Sequence, residues 1–331
     1  MRVPIKAMAV ASVLAMVGAI DAAAEARIGL AAPLGETMAL LGEQVLDGAS
    51  SAARALGVEL LAQDDQCSAE GGRAAASAFV DNAVEIVVGF LCTEAIEAAL
   101  PALTQAGIPV VTPGVRADRL TDGRQRTGHL VWRMAPRADG EAGAAVRILS
   151  ERWRDDLFAI VDDGTVYGRG LSESFRLGVE SAGLRPVFVD TYRPQSDNQI
   201  GLAGRLRQAG ATHVFAGGEA LRAASDRPLA AGTLMIASPE WADLADEGVV
   251  ERFAAEDIVP EGYVVPAYAA IELAVQALHQ ADAEDRPLGD VLAAGSFTTM
   301  AGPVAFDARG DLAESPWRLF RYDGERFMPV E

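Results

Sequence analysis

The chain has 331 residues, half of them hydrophobic and 23% charged, which is enough apolar matter for one large or two ordinary domains and too little charge for a disordered chain. Its formal net charge of −19 repels phosphate backbones and argues against a nucleic-acid partner. Lys6 is the only lysine, so a P-loop lysine, a Schiff-base lysine and a lysine general base are all excluded downstream of it.

Residues 1–26 read as a secretory signal peptide. Arg2 and Lys6 form a basic start, Ala7 to Ile20 is a 14-residue apolar run, and Ala24-Glu25-Ala26 is an A-x-A cleavage site. A membrane anchor is the competing reading, but a span needs about 20 apolar residues. No cysteine lies near the cleavage point, so no lipid anchor is indicated. Later in the chain, Tyr263 to Leu278 is the most apolar stretch, and it carries Pro266 and Glu272. The expectation is a chain exported from Arg27 onward into an oxidising compartment, with no further membrane segment.

From Arg27 the chain alternates short β-branched runs with alanine-rich helical runs. Strands are expected to begin near Arg27, Val58, Glu85 and Pro109, and again near Leu157, Pro186, Thr212 and Thr233. Within each half the starts fall 21 to 31 residues apart, room for one strand, one helix and two short loops. This is the arithmetic of βαβ units and implies parallel sheets with helices on both faces. The rhythm breaks between Ala117 and Glu151 and again at Pro260-Glu261-Gly262, where the chain is expected to cross between two lobes. A helix over Pro266–Gln280 would return to the first lobe. The tail reads as strands, with Asp323-Gly324 as a hairpin turn. The expected division is 27–134 with 262–315 in lobe one and 135–261 with 316–331 in lobe two. Ligands of open α/β sheets bind outside the carboxyl ends of the strands, so two facing edges make a cleft that can close on a small molecule.

Two cysteines, Cys67 and Cys92, remain after the leader. An even count in an exported chain favours a disulfide over two buried thiols. Cys67 follows the expected strand Val58–Gln63 and Cys92 follows Glu85–Phe90. If those strands are parallel neighbours about 4.8 Å apart, the cysteines come within bridging reach.

Enzyme signatures are absent from the sequence: no G-x-S-x-G, no H-E-x-x-H and no G-x-G-x-x-G after a strand. His129, His213 and His279 are isolated, so no catalytic residues, no metal site and no cofactor are expected. Asp64-Asp65 and Asp162-Asp163 end strands; capping the next helix is a plainer role for them than binding a cation or acid–base work. Thr93 leads directly into a helix at Glu94–Gln105. The free N–H groups and positive dipole end at that helix start suit a carboxylate, with the Thr93 hydroxyl as a further donor. On local grounds alone, capping the helix is the plainer role for Thr93.

Asp64-Asp65-Gln66-Cys67, Val88-Gly89-Phe90-Leu91-Cys92-Thr93 and Thr112-Pro113-Gly114 together resemble the branched-chain amino-acid-binding proteins, the periplasmic leucine/isoleucine/valine-binding components of ABC importers. The match continues in order through Val166-Tyr167-Gly168-Arg169-Gly170, Ala216-Gly217-Gly218, Ser238-Pro239-Glu240 and Met300-Ala301-Gly302-Pro303. The resemblance implies an α/β fold of two lobes, the type I periplasmic binding protein or flytrap, each lobe a parallel sheet flanked by helices. It implies that Thr93 holds a ligand α-carboxylate, Gly114 offers a backbone contact, Glu240 receives an α-ammonium, and Tyr167 and Tyr263 line the cleft. Three positions depart from the family pattern. Leu41 replaces an aromatic before Gly42, Arg116 replaces a small hydroxyl residue two past Gly114, and Glu219 replaces an aromatic after the Gly-Gly pair. An arginine and a second acid alter the charge of the cleft, so the ligand need not be leucine, isoleucine or valine.

The function expected is a non-enzymatic, monomeric periplasmic receptor that binds an amino acid or amino-acid-like solute and delivers it to an ABC-transporter permease. A sensor of the same fold, signalling to a membrane receptor or regulator, is the second reading.

Overall fold

The computed structural model describes residues 26–35, 38–192, 199–218, 231–239 and 246–330. Residues 1–25 of the leader, Glu219 and Glu240 lie outside them. The first sheet has five parallel strands: β1 (Arg27–Ala32), β2 (Glu59–Asp64), β3 (Ile86–Gly89), β4 (Val110–Thr112) and β5 (Val131–Arg133), in the order β2-β1-β3-β4-β5. β5 falls where the rhythm breaks; three residues, one of them arginine, are too few to register as a strand by alternation. Helices α1 (Ala39–Leu56), α2 (Ala69–Asp81) and α3 (Thr93–Gln105) connect the first four strands. Two 4-residue turns of helix, α4 (Arg119–Asp122) and α5 (Arg124–Thr127), precede β5.

Strands buried on both faces need cover on both, which explains their near-continuous apolar runs. One face packs α2 and α3, with Phe79, Phe90, Ile96 and Leu103 in the core. The other packs α1 and a later helix, with Ile28, Leu30, Val88 and Trp132. Gly48 lets α1 approach that later helix closely, since a side-chain carbon there would overlap the Val264 carbonyl.

The chain then crosses through residues 134–139 into α6 (Gly140–Arg152). A second sheet follows, with β6 (Phe158–Asp162) central between β7 (Phe188–Thr191) and β8 (His213–Gly217), all parallel. Helix α7 (Val166–Ser181) follows β6, capped by the Thr165 hydroxyl accepting from the Gly168 N–H at 2.9 Å, and α8 (Ile200–Gln208) follows β7. A core of Trp153, Phe158, Ile160, Phe175 and Phe215 sits under α6 and α7. β9 (Leu234–Ala237) pairs with neither β6 nor β8 but antiparallel with β12 (Arg318–Tyr322) from the tail, which β13 (Phe327–Pro329) extends as a hairpin turning at Gly324. The uniform parallel rhythm of the second half therefore stops before its fourth strand.

Helix α9 (Glu247–Ala255) places Val249 and Phe253 in the core of the first sheet. The sequence rhythm put everything up to residue 261 in the second lobe; the packing puts this helix with the first. Helix α10 (Val264–Glu284) lies on the same face, and α11 (Leu288–Ala294) with the hairpin β10 (Ser296–Thr299) and β11 (Gly302–Ala305) completes it. Residues 307–311 return beside β5, and the chain then crosses to β12.

Candidate functional site

The carboxyl edge of the first sheet is built from four loops held to one another. Leu34 N–H and Gln66 N–H both donate to Asp64 Oδ1 at 2.9 Å, so one carboxylate joins the loops after β1 and β2. Cys67 N–H donates to Asp65 Oδ1 at 2.8 Å. The caps of the next helices are Ser68 on α2 and Thr165 on α7, so the strand-end acids bind turn amides instead of capping. In the second sheet Asp162 Oδ1 accepts from Gly164 N–H at 2.7 Å and its Oδ2 from the Thr191 hydroxyl at 3.0 Å, in the same role.

Cys67 and Cys92 form a disulfide with their Cα atoms 5.1 Å apart. Their strands are not neighbours, as the sequence argument supposed: β1 lies between β2 and β3. Two strand spacings are about 9.6 Å, so the loops must bend inward over the end of β1 to meet. Gln66 and Cys67 do this with φ near +50°, a left-handed conformation uncommon outside glycine.

The turn after β3 is bent in the same way. Gly89 has φ +114°, and a side-chain carbon there would overlap the Ala31 carbonyl oxygen, so only glycine fits. Phe90 follows at φ +59°, fully buried, with its N–H donating to Ala31 O at 2.6 Å. A bulky residue in that region is strained and persists only where its surroundings over-determine it. Here a buried ring and the disulfide two residues on supply that determination. The turn delivers Cys92 as the residue before α3 and Thr93 as its first residue. Among the described residues, nothing accepts from the Thr93 hydroxyl or from the Thr93 and Glu94 N–H groups. Thr93 is half-buried and does not cap its own helix.

The loop after β4 locks onto this turn. The Thr112 hydroxyl donates to Phe90 O at 2.9 Å and accepts from Gly114 N–H at 3.3 Å and Val115 N–H at 3.2 Å. Gly114 packs against Leu91 so closely that a side chain would collide with it. Arg116 follows, exposed, with Nε donating to Pro136 O at 3.2 Å and its guanidinium 5.6 Å from the Trp317 ring centroid. The structure thus gathers Thr93, Gly114 and Arg116 on adjoining loops. Leu41 is half-buried in the first turn of α1. Tyr263 stands just before α10, its N–H donating to Gln44 Oε1 at 3.2 Å, which ties it to the same helix as Leu41. Tyr167 is 57% exposed at the start of α7, and its hydroxyl donates to Glu141 of α6. An open groove of about 530 Å³ runs between these two helices, with Ala138, Val166 and Tyr167 at one end.

Two electrostatic features escaped the sequence reading. Asp65 is fully buried, and its Oδ2 has no partner among the described residues. Burial raises its pKa to about 6; the Cys67 N–H opposes this and the neighbouring Asp64 charge adds to it. The second is an arginine–aspartate network at the first crossing. Arg133, wholly buried in β5, binds Asp311 through Nε at 2.9 Å and Nη2 at 2.5 Å, and its Nη2 also donates to the Thr121 hydroxyl at 2.6 Å. Arg137 binds Asp311 Oδ2 at 3.0 Å and Asp122 at 3.0 Å, and reaches Asp139, just before α6, at 2.8 Å. Burial pushes the Asp311 carboxyl up, but Arg133 and Arg137 more than offset it and hold it below the usual range. No sequence spacing signals this network, because its members come from the segment 118–139 and from Asp311, far along the chain.

Among the described residues, no cluster of three or more His, Cys, Asp or Glu could hold a metal ion, and no helix is long and apolar enough to cross a membrane. Two α/β lobes, linked by crossing segments and carrying prepared loops at the carboxyl edges of their sheets, define a solute-binding protein. The chain belongs to the periplasmic binding protein family, whose model matches residues 25–221. A leucine-, isoleucine-, valine-, threonine- and alanine-binding protein of Pseudomonas aeruginosa is 24% identical, the match covering 89% of each chain. An ABC transporter substrate-binding protein from Desulfitobacterium hafniense in complex with Leu is 24% identical, with a TM-score of 0.64 over 92% of this chain and all of that one. A putative branched-chain amino acid ABC transporter protein from Rhodospirillum rubrum gives a TM-score of 0.74 at 17% identity, over the same shares. These matches bear out the resemblance to the branched-chain amino-acid-binding proteins and the type I flytrap fold. Members of this family bind substrates and are not enzymes.

Proposed function

We propose that this chain is the periplasmic receptor of an ABC importer, acting as a monomer, and that it closes on an amino acid or amino-acid-like solute and hands it to the permease. The supporting observation is the turn at Gly89–Thr93. Strained backbone, a buried phenylalanine and a disulfide hold it, and among the described residues the Thr93 hydroxyl and the Thr93 and Glu94 N–H groups it presents are unengaged. That donor set suits a carboxylate. Gly114 adds a backbone contact beside it, and Glu240 receives the ammonium. Leu41, Tyr167 and Tyr263 line the walls, and Arg116 and Glu219 set the charge of the remaining space. Closure removes the ligand's charges from water, so each must find a partner in one lobe or the other.

The test is a thermal-shift screen of the exported chain, disulfide intact, against the amino acids, their amides and small organic acids. A true ligand at 100 times its Kd adds about 2.7 kcal/mol, which at this size raises Tm by several degrees. Deleting the gene should then abolish uptake of that compound. A screen in which no amino-acid-like compound shifts Tm, or a hit that the protein consumes, defeats the proposal.

A further inference from the structure

We infer that the solute carries a second acidic group and that Arg116 is the residue selecting it; this rests on the reading of the cleft just given. Arg116 sits on the loop that Thr112 and Gly114 lock against the Thr93 turn. Two contacts place its guanidinium and one holds its backbone. Nε donates to Pro136 O at 3.2 Å on the first crossing, and the Arg116 carbonyl accepts from Ala138 N–H at 2.9 Å. One face stacks toward Trp317, before β12 on the last crossing, at 5.6 Å. The side chain is therefore anchored where both crossings leave the first lobe, at the root of the cleft.

Its charge is not matched there. Arg119 pairs with Glu97 at 2.7 Å, and Arg133 and Arg137 share Asp311. Arg116 alone of these four has no carboxylate within ion-pair distance among the described residues. A chain of net charge −19 does not lack acids to place opposite it. With Nε engaged, the edge formed by the two Nη groups remains, and a planar fork of N–H donors fits a carboxylate through two parallel bonds. In the open cleft water serves that edge. On closure an unmatched guanidinium is costly, so a solute that brings an acid is favoured and one that brings a neutral group is rejected.

Isothermal titration of the intact exported protein tests this with matched pairs, L-glutamate against L-glutamine and L-aspartate against L-asparagine, with L-leucine as the neutral reference. The acid of at least one pair should bind at least about tenfold tighter than its amide. Arg116→Gln should remove that ratio by weakening the acid while leaving the amide within about threefold, and Arg116→Lys should restore part of it. Urea midpoints of both variants should match the wild type, since the side chain is exposed. A wild type that binds the amide or leucine as tightly as the acid overturns the inference and leaves the amino-acid reading standing. Equal loss of acid and amide in Arg116→Gln also overturns it, and assigns the residue to closure, for instance as a latch against Glu219. If nothing in the panel binds, this inference is overturned, while the amino-acid reading stands or falls by the wider thermal-shift screen.

Discussion

Removing the disulfide is the sharpest perturbation of the first lobe. Cys67→Ala with Cys92→Ala opens a loop with a sequence separation of 25 residues. Chain entropy alone gives about 3.5 kcal/mol for a loop of this size. Part of this is returned, because Gln66 and Cys67, both left-handed, can relax once the bridge no longer draws them over β1; a residue so held costs of order 1 kcal/mol or more. With two such residues the expected net loss is about 1–2 kcal/mol. Equilibrium urea unfolding at pH 7 reads it as a lower midpoint, and the m-value should rise, since the unbridged denatured chain exposes more surface. If the lobes unfold in separate steps, only the step of the first lobe should move. The same variant should bind the solute more weakly, because Thr93 follows Cys92 directly and the clamp on its turn is gone. An unchanged midpoint and m-value would refute the reasoning, as would two free thiols in the denatured, unreduced wild type.

Asp65 makes stability fall as pH rises from about 4 to about 6: the folded state holds its proton in that window and the unfolded state does not. The loss approaches 3 kcal/mol, and Asp65→Asn should flatten that part of the profile in urea titrations at stepped pH. Asp311→Asn leaves the fully buried Arg133 without its counter-charge and should cost about 3–5 kcal/mol, little eased by salt; a loss under 1 kcal/mol by urea unfolding would mean that Arg133 is not held as described. Glu240→Gln keeps its shape and loses its charge, and by calorimetry should weaken a ligand bearing an ammonium by about 2–5 kcal/mol. Unchanged affinity would remove Glu240 as the ammonium acceptor.

The strands of the first lobe were legible because burial on both faces forces unbroken apolar runs such as Ile86–Gly89. Order within the sheet was not. Periodicity fixes which residues face a core but not which strands are neighbours, and β1 took the place between the two strands that lead to the cysteines. The bridge was still inferred correctly, because compartment, even count and strand-end position hold for either order. β5 and α9 show the opposite failure. Val131–Arg133 is too short to read, and the side that Val249 and Phe253 pack against is a property of tertiary contact.

The candidate site divides along the same line. Residue types at strand ends are visible in sequence, so Thr93, Gly114 and Arg116 could be named from motif and position. What those residues can do depends on backbone that no motif encodes. Thr93 reads as an ordinary cap until the left-handed Phe90 turn is seen to set it as the first helical residue, with its hydroxyl unspent. Arg116 reads as a surface arginine until Pro136 and Trp317 are seen to converge on it from two different crossings. Both cases have one cause. In a two-lobed binding protein the cleft is made where distant segments return to the same edge, so its residues are local in chemistry and non-local in placement. Tyr167 marks the limit of motif transfer for the same reason. Its position is the one that the family resemblance names, yet Glu141, on a helix the motif does not include, engages its hydroxyl.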